Sequence, residues 1–280
     1  MTEHVFDTAA PVRIDATTRA SDLVVHTSDS NRVTVRLHPY RDTSSARSYA
    51  EDTLVDLSGT ELRIEVPRSS GLFFANHPRL RIDVHVPSGS DLEVSTGSGE
   101  VTAEGRLGEV RVRSGSGDVT LPECGPLEVT TGSGSITARS ASEAEFICGS
   151  GTVHLGTATG PVRAKTGSGN IVVNHAVDIT ATAASGDIKV TTLAGTGRLR
   201  AASGNVIVQD AVHGSINAGT ASGDVLVGVH QGTAVYMDCY SAAGRTVSDL
   251  DASDAPGQDD QTLEVYARAA SGDVRITRAA

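Results

Sequence analysis

Nine Ser-Gly-x-[Val/Ile] strings punctuate the chain, and the residue two places after each of their serines forms the first column with chemistry in it. That column holds Glu100, Asp118, Ser135, Thr152, Asn170, Asp187, Asn205, Asp224 and Asp273. Asp and Asn suit tight turns, because a short polar side chain bonds the nearby backbone and tolerates unusual φ. The same oxygens can hold a cation. Carboxylates stacked one above another repel. From Asn170 to Asp224 the column alternates Asn, Asp, Asn, Asp, and an amide between two carboxylates can donate to both. Glu100 and Asp118 are neighbours in the column, at about the 5 Å separation a retaining glycosidase uses. A stacked repeat supplies that spacing anyway, and no rung adds a histidine or cationic cluster of its own. The column is therefore expected to be turn structure, with no catalytic residue, and the chain is expected not to be an enzyme.

Two further sets of residues carry charge. The segment 249–262 reads DLDASDAPGQDDQT. Asp249, Asp251, Ser253 and Asp260 fall at positions 1, 3, 5 and 12 of an EF-hand-like count. Asp254 stands where that loop needs glycine, so calcium is a weak expectation and no cofactor is the stronger one. The strand before each Ser-Gly corner presents Glu93, Arg111, Arg113, Glu128, Arg163, Lys165, Arg198 and Arg200 outward. Ion pairs between rungs are expected among Glu93, Arg111 and Glu128. Such a flat, charged face is also one a partner could dock on. In GLFFANHP (71–78), Phe73 and Phe74 are expected in the core of a cap, with a partner contact as the alternative. Cys124, Cys148 and Cys239 are odd in number and irregularly spaced, so they form no disulfide framework and no CxxC metal pair. Nucleophile elbows, zincin helices, P-loops and dinucleotide fingerprints do not occur in context.

The elements that must position these residues follow from the repeat. The corner serines are Ser98, Ser116, Ser133, Ser150, Ser168, Ser185, Ser203, Ser222 and Ser271, at spacings of 18, 17, 17, 18, 17, 18, 19 and 49. Three places after each serine stand Val101, Val119, Ile136, Val153, Ile171, Ile188, Val206, Val225 and Val274, all β-branched. The columns five after, four before and six before are mostly apolar, and polar residues alternate with them. Period-two alternation is the strand signature. A unit of 17–18 residues cannot bury its own apolar face, but stacked units can. The expected fold is all-β: a single-stranded parallel β-solenoid with two short strands per rung. One corner is the Ser-Gly turn and the other a looser link such as PECGP (122–126). The last gap should hold a degenerate unit near Ser241 and an insertion. Residues 1–87 alternate without the motif and are expected to form an irregular β cap, with a short helix over 44–52. Residues 88–280 are expected to hold the repeats.

Composition agrees with a thin aliphatic core and excludes several functions. The chain has 280 residues, 3% aromatics, no Trp and 30 glycines. Its net charge is -11, which argues against neutralising nucleic-acid phosphates. No apolar run approaches the roughly 18 residues of a membrane span. The N-terminus, MTEHVFDTAAPVRID, lacks a basic and then apolar stretch, so the expected location is cytoplasmic. A monomer or small homo-oligomer is expected.

The unit V-x-V-x-x-x-SGD-[VI]-x-[VI], read at 110–121, 179–190 and 265–276, resembles the bacterial putative-adhesin family, a domain of unknown function built from β-strand repeats. The resemblance extends over roughly residues 20–278 and implies a β-solenoid, no known catalytic residues and a cell-envelope role. Together these features point to a non-catalytic scaffold that meets a protein or envelope partner. The alternatives are a carbohydrate-binding or carbohydrate-active β-helix and a calcium-responsive module.

Overall fold

A computed structural model describes residues 2–67, 78–250 and 261–279. The chain forms two compact units, Met1–Ala138 and Arg139–Ala280. Apart from the helix Ser44–Glu51, the regular elements are β-strands.

In the first unit, Arg13–Arg19, Asp91–Thr96 and Val110–Ser114 stack in parallel, followed by the second half of Val119–Thr131. Ile14, Leu92, Val110 and Leu127 fall in one column, and Ala16, Val94, Val112 and Val129 in the next. All eight are buried. A second stack joins Asp22–Ser28, Val101–Glu104 and the start of Val119–Thr131. Residues 13–28 thus pair in parallel with the first Ser-Gly rung, although they lie in the region expected to be an irregular cap. Their corner reads Arg19-Ala20-Ser21-Asp22 and has no glycine; Arg19 takes the positive φ of 56° instead. Beyond this rung the pairing turns antiparallel. Arg32–Pro39 lies between Leu80–Pro87 and Thr2–Asp7, and Leu54–Ser58 pairs with Glu61–Glu65. The helix Ser44–Glu51 starts where the Thr43 hydroxyl accepts from the Ala46 N–H, and it buries Ala46 and Ala50.

In the second unit, one parallel stack runs from the end of Ile136–Cys148 through Pro161–Thr166 and Asp178–Ser185 into the later halves of Ile188–Ser203 and Val206–Ser222. These long strands bend through the looser corner without ending, so two short strands per rung is too simple there. Backbone pairing continues across the bend, with a register shift between Leu193 and Ala194. Spatial order then departs from chain order. Thr262–Ser271 pairs with Val206–Ser222, and Ala234–Ser241 pairs with the far side of Thr262–Ser271. Likewise Val274–Arg278 lies between Val225–Val229 and Thr246–Ser248. The degenerate segment around Ser241 is therefore the terminal rung, and the last Ser-Gly rung returns to the stack beneath it.

The corners come in two kinds. In Thr96-Gly97-Ser98-Gly99 the threonine hydroxyl accepts from the Gly99 N–H at 3.1 Å. Thr131 and Thr166 do the same for Gly134 and Gly169. From 183 onward the corner reads Ala-Ala-Ser-Gly or Thr-Ala-Ser-Gly, and extended strand runs through to the serine. Both kinds need the glycine after the serine, because the carbonyl of the rung beneath sits where a side chain would start. A Cβ on Gly117 would lie 1.8 Å from the Gly99 oxygen, and one on Gly272, at φ +132°, would lie 1.9 Å from that of Gly223.

Candidate functional site

The polar corner column is a hydrogen-bond ladder. In the second unit the Asn170 Oδ1 accepts from the Asp187 N–H, and the Asp187 Oδ1 from that of Asn205. The Asn205 Oδ1 accepts from Asp224, Asp224 from Asp273, and Asp273 from Arg245, all within 2.7–2.9 Å. The first unit repeats the device: Asp22 accepts from the Glu100 N–H and Asp118 from that of Ser135. Each of these side-chain oxygens thus has a main-chain N–H of the neighbouring rung as its partner. The partner is the backbone, not the asparagine amide anticipated from the alternation. The Arg245 N–H and guanidinium hold the Asp273 carboxyl below its usual range.

The Glu100–Asp118 pair acquires no site around it. Asp118 is committed to the Ser135 N–H, and Glu100 accepts from the Thr102 hydroxyl at 3.3 Å. Of the calcium candidates, Asp249 is described; Asp251, Ser253 and Asp260 lie outside the described residues, as do Phe73 and Phe74. Among the described residues, no cluster of three or more metal-ligating side chains occurs. Burial pushes the Cys124 thiol up to about 12, with Glu123 adding to the effect, so this thiol is inert packing.

The outward charged face behaves differently in the two units. In the first unit it is neutralised internally. Arg13 reaches Glu93 at 2.5 Å, and Arg113 reaches the same carboxylate at 3.6 Å. Arg111 pairs with Glu109 and, at 3.5 Å, with Glu128. Glu93 is held below the usual carboxylate range, chiefly by its hydrogen bond from Arg13. The expected Arg111–Glu128 pair forms, whereas Glu93 is taken by Arg13 and Arg113.

In the second unit, Arg163, Thr180, Arg198 and Asn217 occupy one outward row, and Lys165, Thr182, Arg200 and Gly219 the next. Tyr266 follows Asn217, and Arg268 follows Gly219. Among the described residues, no carboxylate oxygen lies within 4.0 Å of the cations of Arg163, Lys165, Arg198 or Arg200. All four side chains are exposed. Glu145 stands in register beside Arg163 without closing a pair. Asp178 lies near Arg163 and Arg198, but its Oδ1 accepts from the Thr196 N–H at 2.9 Å. Among the described residues of this face, Arg268 alone meets a carboxylate, Asp238 at 3.4 Å.

Two features have no strong signal in the sequence. In the first unit Asp22 joins the Tyr40 hydroxyl at 2.5 Å, Arg79 at 3.0 Å and the Glu100 N–H at 2.9 Å. Burial pushes its carboxyl up, but these partners outweigh burial and hold it low. On the same unit, His26 stacks on His85 with centroids 4.8 Å apart. The first draws on four separate stretches of chain, and the second on Asp22–Ser28 and Leu80–Pro87, which place the two rings side by side through register.

The family model for Toastrack DUF4097 matches residues 12–192 and 176–280; the chain belongs to this family. No curated protein matches it. Solved structures similar to it include a putative adhesin from Bacteroides fragilis, at 12% identity over 98% of this chain and 96% of that one, with a TM-score of 0.40. A putative cell adhesion protein from Clostridium sporogenes is 11% identical over 99% of each chain, with a TM-score of 0.21. A putative lipid binding protein from Parabacteroides distasonis is 14% identical over 98% and 96%, with a TM-score of 0.28. Among the described residues, no helix is long and apolar enough to cross a membrane.

Proposed function

We propose that this Toastrack protein is a non-catalytic binding module whose ligand is anionic and seats on the outward sheet face of the second unit. A parallel solenoid with rungs of 17–18 residues is the frame we infer for it. In that frame, the antiparallel strands within residues 1–87 cap the rungs of the first unit, and the rungs of the second unit carry the ligand face. The observation that carries the reading is the set of exposed cations, Arg163, Lys165, Arg198 and Arg200, that no carboxylate of the described residues neutralises, on a chain of net charge -11. Unpaired like charges on every second rung repel and gain nothing for the fold. A ligand that supplies the missing negative charge turns that cost into affinity and faster encounter. An adhesin-like role in the cell envelope fits such a face.

The test is retention on a cation exchanger at pH 7 and low salt. The wild-type protein is expected to be retained despite its net charge. The variant with Arg163, Lys165, Arg198 and Arg200 all replaced by serine is expected to flow through with an unchanged melting temperature. Equal retention of the two proteins would remove the reading.

A further inference from the structure

Between Arg200 and Arg268 the outward row loses its side chain at Gly219, leaving a shallow depression of about 430 Å³ bordered by Arg200, Asn217, Tyr266 and Arg268. The backbone does not require this glycine. A Cβ placed there would meet only the Arg268 carbonyl, at an ordinary 3.7 Å. The corner glycines, in contrast, would collide with a carbonyl at about 2 Å. What Gly219 provides is therefore space on the face.

The groups around that space are those that hold a sugar. Tyr266 offers an apolar ring with a polar tip, and its hydroxyl donates to Glu264 at 3.4 Å. Tyr236 lies 6.3 Å from it, tilted by 58°, and is 62% exposed. Asn217 offers both a donor and an acceptor for hydroxyls. Arg200 and Arg268 present planar forks suited to carboxylate or sulfate, although Arg268 also meets Asp238. Along the same face, cations recur on every second rung: Arg163 and Arg198 flank Thr180, and Lys165 and Arg200 flank Thr182. Two rungs span about 9–10 Å. That is the order of a disaccharide, so a polymer with one acidic sugar per disaccharide would meet a cation at each acid and a threonine between.

We infer that this face binds an acidic polysaccharide with a disaccharide repeat, and that the Gly219 depression is a subsite for one of its rings. The inference rests on the anion-binding reading above and specifies its ligand. Polypeptide or phosphate polyanions would need the cations but neither the notch nor the ring of Tyr266.

The experiment titrates the full chain with chondroitin sulfate oligosaccharides and, separately, with polyglutamate of matched charge. The proteins are the wild type, Gly219→Val and Tyr266→Ala, with melting temperatures measured alongside. Expected are tighter binding of the oligosaccharide than of polyglutamate and a roughly tenfold loss of oligosaccharide affinity in each variant, the size of one good contact. Polyglutamate binding should not change. Equal binding of both polymers, insensitive to either substitution, would overturn the polysaccharide inference and leave the anionic face standing. No binding of either polymer by the wild type would overturn both.

Discussion

The outward faces of the two units come from the same column of the same repeat, yet their charges have opposite fates. In the first unit Arg13, Arg111 and Arg113 are consumed by Glu93, Glu109 and Glu128. In the second unit Arg163 stands beside Glu145 without an ion pair, and the other rung neighbours of Arg163, Lys165, Arg198 and Arg200 are isoleucine, threonine, asparagine and glycine. Beneath both faces the inward columns are mostly aliphatic and buried. The fold is therefore indifferent to what the outward positions carry, and a solenoid-like protein can change its surface function without repacking its core. Exposed pairs contribute about 0–1 kcal/mol each, so the neutralised face is hardly more stable for its pairs. What it loses is attraction for an anion.

That comparison can be broken most forcefully by converting one face into the other. Replacing Glu93, Glu109 and Glu128 with glutamine frees three arginines in the first unit. We expect a second site for chondroitin sulfate, seen as added stoichiometry in titration, with less than about 1 kcal/mol of stability lost per pair. The glycines sharpen the contrast between frame and face. Gly117→Ala and Gly272→Ala should each cost about 1–3 kcal/mol in urea denaturation, as overpacking against backbone does. Gly219→Ala should be neutral or stabilise by up to about 1 kcal/mol through the unfolded chain. A smaller effect is expected in the ladder. Asp224→Ala removes the acceptor of the Asp273 N–H and should cost about 1 kcal/mol, while Asp224→Asn, which keeps the oxygen, should cost little.

The smallest effect concerns acid, and it belongs to the first unit. Burial first, then the charges of His26 and Arg36, lower the His85 pKa below 6.5. A group whose folded pKa is depressed gives its full stability above the unfolded value and loses it as pH falls. Melting temperature should thus drop as pH falls from about 7 through 6, beginning near the unfolded value of about 6.5. His85→Gln should flatten that slope.

Much of this frame was legible in the residues. Nine aligned corners fixed which residues face inward, and the helix over 44–52 followed from its composition. Other features were hidden for physical reasons. Residues 13–28 pair like a rung, but Arg19 replaces the glycine motif that marked the others. The return of Thr262–Ser271 between Val206–Ser222 and Ala234–Ser241 depends on which edge a strand finds, which no local pattern records. The candidate face was visible as a list of charged residues. Which of its cations are satisfied was not, because pairing depends on neighbours one rung away. Glu109, absent from the list, takes Arg111, and Arg13, outside the repeat, takes Glu93. Gly219 is one of 30 glycines in the sequence, and what sets it apart, open space where the corner glycines meet a carbonyl, depends on the neighbouring rung.

The central claim is that an anionic ligand selects the second unit's face over the first's. Arginine-directed labelling by phenylglyoxal, read by mass spectrometry with and without chondroitin sulfate, tests it most directly. We predict rapid labelling of Arg163, Arg198 and Arg200 in the free protein and their protection when the polysaccharide is present, with Arg13, Arg111 and Arg113 unaffected by it. Protection of the first unit's arginines, or none on either face, would contradict the account.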